Sequence, residues 1–214
     1  PYVMANSPLG FVLLWLAITK AEKTGQDPPY SERTEAYNYQ DPQQCLSKNF
    51  TVLRATASAW DISATQCLKT TYLRNEGKKF VHKVTYRAVS KKTSGKPQLT
   101  EHKFNIAIEV KRPKKKQYRI KITEPGREES KILPLPTNNS YPVMYADSRC
   151  IILGHFGSTP GTPACTLWVP QDEVDQVPNY CHFILLSGCA TPVYNIYNAE
   201  KHVCQALDAL KKSK

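Results

Sequence analysis

Apolar and polar residues alternate in short segments between about residues 49 and 169. The clearest segment is 116–123, in which every second side chain is apolar: Tyr118, Ile120 and Ile122. Successive side chains of a strand point to opposite faces, so the pattern predicts a strand with one buried and one wet face. We predict strands near 49–57, 65–73, 78–89, 99–110, 116–124, 129–134, 142–147, 149–156 and 164–169. Short strands at this spacing favour an antiparallel barrel or sandwich.

Helix-like patterns flank these strands. The segment Gln171–Gly188 places apolar residues at helical spacing and predicts a helix packed on the β-structure. Asn198–Leu210 is a second, weaker helix candidate, and Tyr37–Ser47 is a short one. The chain is therefore predicted to be mainly β, with a C-terminal helix. A closed barrel of eight strands leaves no exposed edge and can hold one small ligand.

The N-terminal region has a different character. Leu9–Ile18 is an apolar run of signal-peptide length that is short for a membrane span. We expect a signal peptide at 1–21, a flexible leader at 22–38, one folded domain at 39–210 and a basic tail at 211–214. A buried N-terminal helix is the alternative interpretation of the apolar run.

Seven cysteines occur at irregular spacings, without a CxxC pair or a Cys/His cluster of zinc type. A disulfide framework fits this pattern better than a metal site, and disulfides agree with export. The sequons at Asn49 and Asn138 also agree with a secreted, extracellular glycoprotein. No further segment approaches transmembrane length.

The 214-residue chain has a formal net charge of +11, and its densest basic run is Lys111–Lys116. Such runs contact nucleic acid, heparin-like polymers or anionic lipid in other proteins. Here they coincide with turn residues, which favours solvated hairpin loops. No fold signature of nucleic-acid binding accompanies them, so a nucleic-acid partner is not expected.

Enzymatic chemistry finds little support in the sequence. There is no nucleophile motif and no glycine-rich phosphate loop, and the five histidines lack metal-ligand spacing. His155 and His102 could meet across a barrel, but a structural role is the simpler interpretation. We expect a binding protein without a catalytic site, cofactor or metal.

Several short motifs resemble the tick salivary lipocalins, the histamine-binding-protein-like family. They are Tyr39–Asp41, Cys67, Tyr145–Cys150, Leu167–Trp168 and Asp175–Cys181. Their order spans about residues 39–204. The resemblance implies an eight-stranded antiparallel lipocalin-type barrel with a C-terminal helix packed on it, which binds a small molecule.

The resemblance also implies the disulfide pairs Cys67–Cys204 and Cys150–Cys181, with Cys165–Cys189 as a plausible third. Cys45 is then left over. It is free, competes for Cys165 or Cys189, or bridges to another chain, which leaves both a monomer and a Cys45-linked dimer open.

Family members that bind histamine hold the amine with inward carboxylates and aromatic rings, because a buried cation needs paired charge or a ring face. The resemblance places Thr166 where a Glu is expected, and Tyr141 and Asn139 at two further altered positions. Glu101 is the one remaining counterpart of a family carboxylate. We therefore expect no tight histamine binding.

The altered positions fit a leukotriene, fatty acid or sterol held by apolar walls and a polar head-group partner. The wall candidates are Trp60, Tyr118, Tyr141 and Trp168, and the head-group candidates are Arg54, Arg87 and Arg119. The predicted function is sequestration of a small host mediator, a biogenic amine or bioactive lipid. The rival prediction is an interaction protein that acts through its basic surface on a host protein or a glycosaminoglycan.

Overall fold

In the computed structural model, the residues described are 36–56, 65–91, 97–112, 117–123, 140–155 and 163–212. They contain nine strands: β1 (Phe50–Thr56), β2 (Gln66–Glu76), β3 (Lys79–Lys91), β4 (Pro97–Lys111), β5 (Arg119–Thr123), β6 (Ser140–Ala146), β7 (Ile151–His155), β8 (Ala164–Pro170) and β9 (Val193–Asn195). Two α-helices follow the eighth strand: α1 (Asn179–Gly188) and α2 (Ile196–Lys212).

Strands β1 to β8 form a closed antiparallel ring. From β2 to β8, consecutive strands pair with each other. Strand β1 closes the ring by pairing with both β8 and β2. The short β9 pairs with the second half of β1. The predicted fold class, an eight-stranded antiparallel lipocalin-type barrel with a C-terminal helix, is confirmed.

Alternating side chains divide each strand of the ring between an inner and an outer face. The inner side chains form one buried cluster that includes Phe50, Leu68, Val84, Ile106, Ile120, Val143 and Trp168. A second cluster on the outer face of β7, β8 and β1 is covered by α1 and includes Leu53, Ile152, Leu167 and Leu185. One face of these strands therefore fills the ring, and the other packs against α1.

The ring has a closed end, where β1 begins. Residues 37–39 and 42–44 form two 3₁₀ turns there, in place of the single helix predicted for 37–47. Cys45 and Leu46 belong to the inner cluster, and the Leu46 carbonyl lies 2.7 Å from Nε2 of His82. The segments 57–64, 92–96, 124–139 and 156–162 lie outside the described residues.

The helices differ from the prediction at their boundaries. The helix predicted over 171–188 begins only at Asn179, after turns at 171–176. Pro178 is its N-cap, and a proline in the middle of a helix has no N–H to donate to the preceding turn. Strand β9 was missed because three residues give too little alternation for a pattern.

Three disulfides tie the C-terminal elements to the ring. Cys67–Cys204 joins β2 to α2, Cys150–Cys181 joins the start of β7 to α1, and Cys165–Cys189 joins β8 to the end of α1. The first two are the pairs that the family resemblance implies, and the third is the additional pair named with them in the sequence analysis. Cys45 is a free, buried thiol.

Residue Cys67 has a positive φ of 55°, a conformation that non-glycine residues rarely adopt. It lies at an irregularity in the β2–β3 register, between Gln66 and Lys69. The Cys67 amide donates to Glu200 of α2, and its sulfur is bonded to Cys204. Helix α2 therefore holds this irregularity in place.

Several sequence predictions fall on segments that the structure does not describe. They are the signal peptide at 1–21, the leader up to residue 35, the strand at 129–134, Trp60, the sequon at Asn138 and the basic run from residue 113 to 116. Within the described segments, no helix combines the length and the apolar character needed to cross a membrane.

Candidate ligand-binding site

The interior of the ring is the first candidate site. Trp168, Tyr141 and Tyr118 all belong to the inner cluster, as a pocket wall requires. The indole Nε1 of Trp168 donates to Oγ1 of Thr166 at 2.8 Å. Burial raises the pKa of Tyr141 to about 12, so its hydroxyl stays neutral at physiological pH. Three of the predicted wall residues are thus brought together inside the ring.

The hydroxyl of Tyr118 points toward the closed end, where it donates to Asp41 at 3.3 Å. Asp41 also caps the second 3₁₀ turn by accepting from the Gln43 amide. Burial is the first cause, and the Asp41 charge the second, of the raised pKa of Tyr118. Tyr118 therefore helps to anchor the chain segment that covers this end of the ring.

Inner side chains of β3 and β4 form an aromatic row toward the opposite end. The ring of Tyr86 stacks on His102, with centroids 4.9 Å apart, and meets Phe104 edge-on at 6.2 Å. All three side chains are only partly buried. Because they face inward and keep accessible surface, they are the described residues best placed to contact a ligand that enters the ring.

His82 is a buried imidazole of the ring interior. It is fully buried, its Nε2–H donates to the Leu46 carbonyl, and Nδ1 has no hydrogen-bond partner among the described residues. Burial lowers the pKa of His82 below its usual range, and the bond to Leu46 opposes that shift. His82 is therefore a neutral polar group in an apolar environment.

Among the strand side chains that the structure describes, none on the inner face is charged. The inward polar residues there are neutral, and they include Thr70, Tyr72, His82, Tyr86, His102, Tyr141 and Thr166. A buried carboxylate or guanidinium needs a partner of opposite charge, and this face offers none. The interior is thus suited to an uncharged ligand.

The predicted carboxylate and head-group residues do not reach this interior. Glu101 lies on the outer face of β4, where it pairs with Arg87 at 3.7 Å and Lys103 at 2.8 Å. Arg119 alternates with the inward Ile120 and bonds to Ser140 on β6. Arg54 pairs in register with Leu167, whose side chain belongs to the outer cluster. The structure therefore places these side chains outside the ring interior.

Sequence reasoning missed His82, Tyr86 and Phe104 as interior residues, and it considered His102 only as a residue that could meet His155 across the barrel. The signal was present, because β3 and β4 carry apolar or aromatic residues at every second position. The two strands are in register along their whole length, with Tyr86 opposite His102 and Val84 opposite Phe104. Reading both strands together would have placed these side chains on one face.

The motif Tyr145–Cys150 has a structural role. Asp147 accepts hydrogen bonds from the amides of Arg149 at 2.7 Å and Cys150 at 2.8 Å, which orders the β6–β7 turn. It also accepts from the hydroxyls of Tyr145 and Tyr180, and so links the turn to α1. The expectation that Asp147 orders a turn is confirmed.

A second candidate site lies outside the ring, at the seam between β1 and β2. These strands pair only at Phe50–Thr70 and Thr51–Lys69, after which β1 pairs with β9. Helix α2 packs over the seam and leaves a cavity of about 190 Å³. The cavity is lined by residues of β1 to β4, by two residues of the turns after β8 and by one side of α2. Most of these side chains are on the outer face of the ring, but Val52, Leu68 and Ile196 belong to the inner cluster.

Comparison with known proteins agrees with this architecture. A family model described as tick histamine binding protein matches residues 30–205. Among solved structures, Japanin from Rhipicephalus appendiculatus bound to cholesterol is similar, with a TM-score of 0.51 and 15% sequence identity. The match covers 67% of this chain and 87% of that chain, and at this identity it shows a shared fold. No curated protein sequence matches the chain.

Proposed function

Because the chain belongs to the tick histamine-binding protein family, we propose that it is a secreted salivary protein that sequesters a small, uncharged and mainly apolar host mediator inside its strand ring. Sequestration needs no chemical step. The protein lowers the concentration of free mediator by binding it stoichiometrically. Three disulfides support an extracellular location, because such bonds persist in oxidising compartments.

The single observation that carries this proposal is the uncharged inner face of the described strands. Aliphatic and aromatic walls bury the ligand body, while the hydroxyl and imidazole groups supply neutral hydrogen bonds. Each square ångström of apolar surface removed from water contributes roughly 25 cal/mol. An apolar mediator gains most from such walls.

A cationic amine fits this interior less well. Thr166, the position at which histamine binders are expected to carry a Glu, is fully buried and bonded to Trp168. An ammonium group there would lose its hydration without gaining a carboxylate. The same argument applies to an anionic head group, because Arg54 and Arg119 lie on the outer face. A sterol is the ligand class that fits best, and the cholesterol in the similar Japanin structure supports it.

Native mass spectrometry tests the proposal. We expect the purified protein to form a one-to-one adduct with cholesterol, which a large excess of histamine does not displace. Replacement of the inward Tyr86 by Ala should weaken this adduct, because it removes an aromatic wall. Lys83→Ala, on the outer face of the same strand, is the matched control and should leave it unchanged. Absence of a cholesterol adduct, or tighter binding of an anionic fatty acid or leukotriene than of cholesterol, would refute sequestration of an uncharged mediator in the ring.

A second candidate function rests on the outer face of β3 to β5. Lys79, Lys83, Lys103 and Lys121 are all exposed on this face, and only Glu101 and Glu109 offset them there. We propose this basic surface as the alternative site of action, on a glycosaminoglycan or a host protein. Heparin retention that falls sharply in Lys83→Glu/Lys121→Glu, without loss of the cholesterol adduct, is the result expected for it.

A further inference from the structure

The seam cavity carries a feature that the ring does not use. Glu200 of α2 lines this cavity and is 91% buried, with a relative exposure of 9%. Its Oε2 accepts from the Cys67 amide at 2.6 Å, whereas Oε1 has no hydrogen-bond partner among the described residues. Burial raises the pKa of Glu200, and the Cys67 amide opposes that shift. A buried carboxylate oxygen without a partner is costly and needs an explanation.

The other acidic residues of the cavity are already neutralised. Asp208 pairs with Lys69 at 2.7 Å and with Arg87 at 3.0 Å. Glu101 pairs with Arg87 and Lys103. Both carboxylates therefore have partners within the protein.

The basic residues of the cavity are engaged elsewhere. Lys69 and Arg87 bind Asp208, and Lys201 binds Asp175 at 2.8 Å. Among the ion pairs found in the described part of the chain, none includes Glu200. The described part of the chain thus supplies no cation that pairs with Glu200.

The chemistry around Glu200 favours an organic cation over a metal ion. The sulfurs of Cys67 and Cys204 lie close to the Glu200 carboxylate, and the three residues together have the spacing of metal ligands. However, the two sulfurs are joined in a disulfide, so neither is available as a thiolate ligand. Leu68, Ile196 and Tyr197 add apolar and aromatic wall to the cavity.

We propose that the cavity between α2 and the outer face of β1 to β3 is a second binding site, which takes a small organic cation whose N–H group donates to Glu200. The apolar walls receive the body of this ligand. The site lies at the seam, and it shares Leu68 and Ile196 with the inner cluster of the ring.

Benzylamine and its uncharged analogue benzyl alcohol are suitable probes for calorimetry on the full, disulfide-bonded protein. We expect benzylamine to bind at least about tenfold more tightly than benzyl alcohol, because a charged hydrogen bond replaces a neutral one. Glu200→Gln keeps the shape and an acceptor for the Cys67 amide, but removes the charge. It should weaken benzylamine binding by a similar factor.

Glu76→Gln is the matched control, because Glu76 is exposed on β2 and pairs with Arg74 away from the cavity. It changes the net charge equally and should leave benzylamine affinity unchanged. Nuclear magnetic resonance supplies a test on the unmodified protein: benzylamine should shift the Cys67 amide and leave the Trp168 indole resonance in place. Equal binding of the two probes, unchanged affinity in Glu200→Gln, or a shift at Trp168 instead of Cys67 would each overturn the proposal.

Discussion

Thr166 and Trp168 show how a single position restricts the ligand. Both side chains are buried on the inner face of β8, and they form a hydrogen bond with each other. A carboxylate at position 166 would bring charge into the ring, whereas the threonine hydroxyl satisfies the indole N–H and leaves the wall neutral. Thr166 therefore keeps this part of the inner wall uncharged and bonded.

His82 gives a prediction about pH at the same scale. Its pKa is lowered in the folded protein, so the unfolded chain, with an imidazole pKa of about 6.5, binds the proton first as the pH falls. Above about pH 6.5 both states are neutral and His82 contributes no pH dependence. Below about pH 6.5 the free energy of unfolding decreases as the pH falls, until the pH reaches the pKa of His82 in the folded protein.

We therefore expect the free energy of unfolding to fall more between pH 7.5 and pH 5 in the wild type than in His82→Gln. The difference is at most about 2 kcal/mol for one imidazole. His182, whose pKa burial also lowers, leaves a residual slope in the variant. Denaturant titration at both pH values checks this, and equal slopes in the two proteins would contradict it.

At the scale of elements, the C-terminal helix α2 contributes to the buried core of the ring as well as covering its outer face. Ile196 at the start of α2 belongs to the inner cluster, although it follows β9 outside the eight strands. It lies where β1 and β2 have separated, and Glu200 one turn later binds the irregular backbone at Cys67. The position of α2 thus decides both the shape of the seam cavity and the closure of the core.

The disulfide that holds α2 gives a prediction at this scale. Cys67–Cys204 closes a loop with a sequence separation of 137, against 24 for Cys165–Cys189. Because a longer loop restricts the unfolded chain more, we expect the double serine variant of Cys67 and Cys204 to lose about 3–5 kcal/mol. The serine variant of Cys165 and Cys189 should lose less. Chemical unfolding measures both losses, and the reverse order would show that native-state packing outweighs chain entropy here.

At the scale of the whole molecule, ligand binding and stability are linked. A ligand that binds only the folded ring stabilises it by about 2.7 kcal/mol at a hundred times its Kd. For a domain of this size that corresponds to a rise in Tm of roughly 5–10 °C. We expect cholesterol to raise the Tm of the wild type in this way and to raise that of Tyr86→Ala less at the same concentration. A rise of equal size in both proteins would place the sterol away from the aromatic row.

The sequence by itself determined most of the described strands and the division of a clearly alternating strand into two faces. Alternation in β5 separated Ile120 from Arg119 because a strand has a period of two, whatever surrounds it. The cysteine positions, read through the family resemblance, also gave the pairs that anchor α1 and α2. Strand alternation depends on neighbouring residues alone, and the cysteine pairs follow from motifs shared with the family.

Only the tertiary structure decided which residues line the interior of the ring. Arg87 and Glu101 were predicted as site residues of the ring, yet both lie on its outer face, and Arg87 has only 7% of its side chain exposed because α2 covers it. A period of two shows that neighbouring residues lie on opposite faces, but not which face is inside. That choice depends on ring closure and on the helix packed outside it, both of which join residues far apart in the chain.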